Sequence, residues 1–120
     1  MIIMKTEKLL TIVQNALEDK KATDIKILDV HKISSFTDFM VIATGRTARQ
    51  VSALARHVIE QSKSYGHRPL GDEGSQVGEW ALVDLGDIIV HVMQPQTRDL
   101  YQLEKLWSEI GNEAVPSLGT

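Results

Sequence analysis

The chain has 120 residues, of which 42% are hydrophobic and 24% charged, and its formal net charge is −3. This length suits one domain, and the charge argues against a protein that grips nucleic acid along its own surface, because phosphate-backbone binding needs clustered Lys and Arg. With no cysteine, a disulfide framework and a thiolate metal site are excluded. No stretch approaches the roughly 18 apolar residues of a membrane span, so we expect a soluble, cytoplasmic protein.

The N-terminal part of the chain predicts a helix followed by a strand. Residues 6–20 carry apolar side chains at helical spacing, and Thr6 is a candidate N-cap. Residues 24–30 then alternate, with Ile25 and Ile27 on one side of a strand.

The central part predicts a buried strand and a long helix. Residues 38–44 are nearly all apolar, which is typical of a strand covered on both faces. After Gly45, residues 47–65 predict a helix, because Thr47 and Gln50 fit a capping box and Gly66 follows as a stop signal.

The C-terminal part predicts a loop, a hairpin and a last helix. Residues 67–78 are rich in glycine and polar side chains and have room for one short edge strand. The strands 79–85 and 88–93 are joined by Gly86-Asp87, a good signal for a two-residue hairpin turn. Thr97 is expected to cap a helix that runs to about Ile110, and 111–120 is expected to be a flexible tail.

The order α-β-β-α-β-β-α contains no repeat and no linker, so it predicts a single domain over residues 1–110. Its predicted fold class is α/β: a single-domain α/β sandwich in which a small mixed sheet is flanked by helices.

The hairpin pairing assigns each side chain to one of two faces. One face is wholly apolar and must be core: Leu85 with Ile88, Val83 with Val90, and Ala81 with Val92. The other face mixes large apolar and titratable groups: Trp80 with Met93, Leu82 with His91, and Asp84 with Ile89. Such a mixture is common in protein-binding surfaces, and it also fits a face covered by a helix with a satisfied, half-buried histidine.

The predicted last helix has two different sides when its residues are spaced 100° apart. Five apolar side chains share one arc that would pack on the sheet: Leu100, Leu103, Leu106, Trp107 and Ile110. Arg98, Tyr101 and Lys105 gather on the opposite side. A tyrosine between two cations is a candidate interaction hot spot, and it is equally consistent with an ordinary solvated face.

Signals for enzymatic chemistry are weak. The chain has no nucleophile elbow and no phosphate-binding loop, and its four histidines lack metal-ligand spacing. The turn Ala43-Thr44-Gly45 before Thr47 offers backbone N–H groups to an anion, but no acidic pair follows on a strand. We therefore expect neither an enzyme nor a cofactor or metal site.

Three stretches in register resemble the Iojap-like ribosomal silencing factors. They are Ser35–Gly45 followed by Gln50-Val51, then Trp80–Met93, and finally Arg98–Trp107. The resemblance implies a nucleotidyltransferase-like fold without catalytic carboxylates. It also implies a translation repressor that binds ribosomal protein L-fourteen at the intersubunit face of the large subunit and sterically blocks joining of the small subunit. Family members are also associated with large-subunit maturation and can self-associate.

With this resemblance, seven residues are expected to bind the partner: Trp80, Leu82, His91, Met93, Arg98, Tyr101 and Lys105. Trp80 and Tyr101 would be anchors, while Arg98 and Lys105 would meet acidic or carbonyl groups. Little direct contact with nucleic acid is expected, and the free protein can pair with itself through the same surface. The alternatives are a degenerate nucleotidyltransferase-like nucleotide-binding protein and a large-subunit assembly factor.

Overall fold

The computed structural model describes residues 5–107, which form three helices and five strands. Their bounds are α1 Thr6–Asp19, β1 Thr23–Asp29, β2 Phe39–Thr44, α2 Ala48–Ser64, β3 Gly71–Glu73, β4 Trp80–Asp84, β5 Ile88–Met93 and α3 Pro95–Tyr101. Residues 103–107 add one further helical segment after α3. The predicted domain boundary at residue 110 and the tail 111–120 lie outside the described residues.

The strands form one mixed sheet in the order β1-β2-β5-β4-β3. Only β2 and β5 are parallel, and α2 lies in the long connection between them. The other neighbours are antiparallel. The predicted mixed sheet flanked by helices is therefore confirmed, and the short edge strand within 67–78 is β3.

The first face of the sheet is covered by α1 and α2, which form the main core. Apolar side chains recur at helical spacing on both helices and are fully enclosed, as Val13 and Leu54 illustrate. The predicted N-cap of α2 is confirmed, since the Thr47 side chain accepts the Gln50 N–H at 3.0 Å. The return bond of a capping box is shifted by one residue, because the Gln50 side chain accepts the Arg46 N–H. The Gln50 amide also donates to the carbonyls of Lys20 and Lys21, which fixes the α1–β1 turn against the start of α2.

The β4–β5 hairpin has the predicted register. Val83 pairs with Val90 and Ala81 with Val92, all of them buried on the first face. Gly86 has a φ of 87°, a left-handed conformation that glycine adopts without steric cost. The Asp84 carboxylate accepts the Gly86 N–H at 2.9 Å and stabilises the turn.

The second face of the sheet carries a smaller core. Its buried members are Val30, Met40, Ile42 and Met93. Partly buried side chains pack on these from the neighbouring segments: Leu28, Ile33, Trp80, Leu103 and Trp107. This cover is narrower than the α1–α2 layer, so the second face is closed in part only.

Two predicted helix starts are wrong. The N-cap of α1 is Lys5, and Thr6 is already the first helical residue. The N-cap of α3 is Gln94, with Pro95 as the first helical residue, so Thr97 is inside the helix. Proline suits that first position because its missing N–H has no helical partner there. Between residues 5 and 107 no helix is long and apolar enough to cross a membrane.

Candidate protein-docking surface

Two aromatic rings form the centre of an exposed surface on the second face. Trp80 begins β4 and Tyr101 ends α3, and their ring centroids lie 4.9 Å apart at an interplanar angle of 52°. Tyr101 keeps 54% of its surface exposed, while Trp80 is half-buried. The tilted contact is a favourable aromatic geometry and holds both rings in place.

Apolar side chains extend this centre. Leu100 is 77% exposed and Leu106 is 49% exposed, and Leu82 is half-buried two residues along β4 from Trp80. We call Trp80, Leu82, Leu100, Tyr101 and Leu106 the apolar patch. A shallow depression lined by Tyr101, Gln102, Lys105 and Leu106 lies within it. Large apolar side chains grouped on a surface mark an interaction site more often than single exposed ones do.

His91 supports the patch from below. The indole N–H of Trp80 donates to His91 Nδ1 at 3.0 Å. Since an indole N–H can only donate, Nδ1 must be the unprotonated ring nitrogen. Burial lowers the pKa of His91 to about 4, so the ring is neutral near pH 7. The neutral ring therefore fixes the position of Trp80 through one hydrogen bond.

The expected exposure of His91 and Met93 is wrong. His91 is 6% exposed and lies against the Trp80 ring. Met93 is fully buried in the small core on which Leu103 and Trp107 pack. The alternative interpretation, a covered face with a satisfied histidine, is correct for these two residues. Neither side chain is accessible to a partner from this position, and both support the patch.

The predicted outward position of Arg98 is also wrong. Arg98 is 7% exposed, and its Nη1 donates to the carbonyl of Asp24 at 2.6 Å and to the Thr44 hydroxyl at 2.7 Å. Its Nε donates to both carboxylate oxygens of Glu104, at 3.0 and 3.1 Å. This cation therefore stays inside the protein, whereas Tyr101 and Lys105 are exposed as predicted.

The helical wheel failed because the last helix is not continuous. Gln102 has a left-handed conformation, with φ 48° and ψ 49°, and it separates α3 from the segment 103–107. The break changes the phase between the two parts. Leu103 and Trp107 pack inward as predicted, but Leu100 and Leu106 are exposed. Ile110 lies outside the described residues.

The strand-to-helix turn at Gly45 is not a good anion site. The Gly45 N–H donates to the Met93 carbonyl at 3.0 Å, and the Arg46 N–H donates to Gln50 Oε1 at 2.7 Å. Both N–H groups therefore already donate hydrogen bonds within the protein and are not available to an anion. A cavity of about 520 Å³ beside the turn is lined by three cations and three carboxylates: Arg46, Arg98 and Lys105 with Asp24, Asp99 and Glu104. This balanced lining does not favour a polyanion such as a nucleotide.

The family described as "ribosomal silencing factor during starvation" matches residues 3–119. The chain belongs to the ribosomal silencing factor family. The match covers nearly the whole chain, and it confirms the resemblance that the three sequence stretches carry.

Relatives of this silencing factor agree with that assignment. The ribosomal silencing factor RsfS of Haemophilus influenzae is 46% identical over 100 residues, which are 83% of this chain and 98% of the relative. A crystal structure of a Chromobacterium violaceum protein, 45% identical, superposes with a TM-score of 0.86 over 88% of each chain. The chloroplastic protein Iojap of Zea mays is 32% identical over 77% of this chain and 40% of its own length.

Proposed function

We propose that this silencing factor docks on the large ribosomal subunit through the apolar patch, with ribosomal protein L-fourteen at the intersubunit face as its partner. Docked there, it blocks joining of the small subunit and represses translation. The observation that carries the proposal is the contact of the exposed Tyr101 ring with the half-buried Trp80 ring, with exposed Leu106 in the same depression as Tyr101. Tyr and Trp in a preformed arrangement are the residue types that dominate binding energy at protein interfaces.

The patch is organised before any partner arrives. Tyr101 rests on Trp80, and the Trp80 indole is bonded to His91. Less side-chain freedom is lost on binding when the anchors are already held in place, which favours affinity. Lys105 is exposed at the rim of the same depression, where a charge guides orientation and association rate.

Repression by this route is steric. The patch is on the second face of the sheet, whereas α1 and α2 cover the first face. A protein held by its patch would therefore project the α1–α2 layer away from the large subunit, into space that the small subunit needs. No bond is made or broken, so we propose a binding protein rather than an enzyme, acting where cytoplasmic ribosomes assemble.

Tyr101→Ala tests the docking site. We expect its affinity for isolated large subunits to fall about 30-fold or more, because truncating a central anchor costs about 2 kcal/mol or more. The measurement is co-sedimentation with large subunits, followed by reassociation of the two subunits in the presence of each variant. Block of reassociation should weaken in parallel.

Tyr65→Ala is the matched control, because Tyr65 is a tyrosine of equal exposure, 54%, at the end of α2. It should dock and block reassociation as the wild type does. If Tyr101→Ala retained wild-type affinity with its fold intact, the proposed docking site would be wrong.

A further inference from the structure

The break after α3 has an unusual backbone. Gln102 adopts a left-handed conformation, with φ 48°, that residues other than glycine rarely adopt. The chain is nevertheless helical on both sides of it, and Gln102 bonds to each: its N–H donates to the Arg98 carbonyl at 2.9 Å, and its carbonyl accepts the Leu106 N–H at 3.0 Å. Something outside the backbone must favour this shape over a continuous helix.

Arg98 and Glu104 flank the break and bridge it. The Arg98 Nε meets both oxygens of the Glu104 carboxylate. In a continuous helix, residues six positions apart are separated by about 9 Å along the axis and by about 120° around it. Their side chains would then point to different sides. The ion pair therefore stabilises the broken form and not the continuous one.

The same arginine fixes the broken segment to the sheet. Its Nη1 donates to the carbonyl of Asp24 at the start of β1 and to the hydroxyl of Thr44 at the end of β2. Arg98 is almost fully buried, so these bonds are protected from competing water. These bonds thus fix the position and orientation of segment 95–107 relative to the second face of the sheet.

The break also decides which side chains are exposed. It allows Leu103 and Trp107 to pack into the second core. Leu100 precedes the break, and a continuous helix would place it beside them on one arc, but it is exposed. The orientation of α3, with Tyr101 on Trp80, therefore depends on the break.

We propose that Arg98 and Glu104 are positioning residues for docking: their ion pair across Gln102 holds the broken helix that places Tyr101 on Trp80. The inference rests on the proposed function, because it assigns these two residues to the same docking surface. Neither side chain needs to touch the partner. This role of Arg98 differs from the direct partner contact that the sequence pattern predicts.

The first test measures patch geometry without any partner. Glu104→Gln removes the charge and keeps one acceptor for Arg98, so the fold should survive. By NMR, we expect the cross-relaxation between the Trp80 and Tyr101 rings to weaken severalfold, and the Gln102 carbon shifts to move toward helical values. Asp99→Asn, which changes an exposed acid of α3, should leave both signals unchanged. Wild-type signals in both Glu104→Gln and Arg98→Lys would overturn the proposal.

The second test asks whether the pair acts through Tyr101. Glu104→Gln should weaken docking to large subunits about tenfold, while Asp99→Asn should have no effect. In the Tyr101→Ala background the same Glu104→Gln change should have little further effect, because residues that act through one another are non-additive. A full tenfold loss in that background would overturn the positioning role.

The two proposals can fail separately. A Tyr101→Ala protein that docks like the wild type would contradict the docking site, while the ring cross-relaxation would still decide whether Arg98 and Glu104 set the patch geometry. If Glu104→Gln lost the contact between the Trp80 and Tyr101 rings but docked like the wild type, the positioning role would be wrong. That result would not contradict the docking site.

Discussion

The two faces of the sheet are built from the same strands but are closed in different ways. On the first face, α1 and α2 enclose an apolar layer in which Val13, Val41, Leu54 and Val90 are fully buried. On the second face, a short helix, a break and one more helical segment cover a smaller core and leave Leu100 and Tyr101 exposed. The contrast fits the proposed function, because the larger core is on the first face and the proposed docking surface is on the second.

The largest expected effect is a loss of stability on changing a residue in the main core of the first face. Leu54→Ala should lower the free energy of unfolding by about 2–5 kcal/mol, because it removes methyl groups from a fully buried site and leaves a cavity. Leu100→Ala is the matched change on the second face and should cost less than about 0.5 kcal/mol, since Leu100 is 77% exposed.

Denaturant unfolding of both variants, with large-subunit docking measured on the folded protein, checks this prediction. Leu54→Ala should dock normally once folded, and Leu100→Ala should dock more weakly. A Leu100→Ala variant destabilised as much as Leu54→Ala would contradict the contrast between the faces.

A second prediction concerns acid and the second face. The unfolded chain takes up a proton on His91 below about pH 6.5, whereas in the folded protein burial lowers the pKa of His91 to about 4. The unfolded state therefore binds more protons between these values, and stability falls as the pH drops through this window. The His91 contribution to this loss is at most about 3 kcal/mol.

His91→Asn measures the contribution of His91 to the pH dependence of stability. The asparagine side-chain oxygen can replace Nδ1 as acceptor for the Trp80 indole N–H. Thermal unfolding of wild type and variant should be compared from pH 7 to pH 4.5. The stability of the wild type should fall more steeply toward acid pH. Equal slopes would show that His91 titrates alike in the folded and unfolded states.

The smallest expected effect is a gain in stability on removing a buried hydroxyl from the first face. Ser62 is fully buried in α2, and its hydroxyl has no hydrogen-bond partner among the described residues. Ser62→Ala should therefore raise the free energy of unfolding by about 1 kcal/mol, because an unpaired polar group is removed from the core. Ser64→Ala, whose exposed hydroxyl is bonded to the Gln61 carbonyl, should give no gain by the same denaturant titration. A loss of stability in Ser62→Ala would indicate a hidden partner for the hydroxyl.

Sequence patterns predicted the full strand pairing of the hairpin. They predicted correctly only some of the exposed residues of the proposed docking surface. The hairpin pairing follows from a two-residue turn and a strict alternation, both of which are local, so the register of Trp80–Asp84 against Ile88–Met93 was correct. All seven residues expected to bind the partner were predicted to be accessible. Tyr101 and Lys105 are exposed and Trp80 and Leu82 are half-buried, whereas His91, Met93 and Arg98 are buried. The nucleotidyltransferase-like character of the fold stays a prediction.

The misplacement of Arg98 and Leu100 follows from the break. A helical wheel assumes constant backbone angles, and the left-handed residue Gln102 changes the phase between the residues before it and those after it. Glutamine at that position gives no local warning, since glycine is the residue that normally marks such a conformation. The pairing of Arg98 with Glu104 becomes visible only once the break is known.

By itself the sequence determined the mixed sheet, the cap and stop of α2 and the core of the first face, because periodicity, turn chemistry and short-range capping are local properties. The family followed from the resemblance of three stretches in register. The tertiary structure decided where the last helix breaks, which cation is buried and which leucines are exposed. Those outcomes depend on bonds from Arg98 to Asp24 and Thr44, which are 74 and 54 residues away along the chain. Contacts between positions so far apart leave no periodic trace in a single sequence, so only the folded structure reveals them.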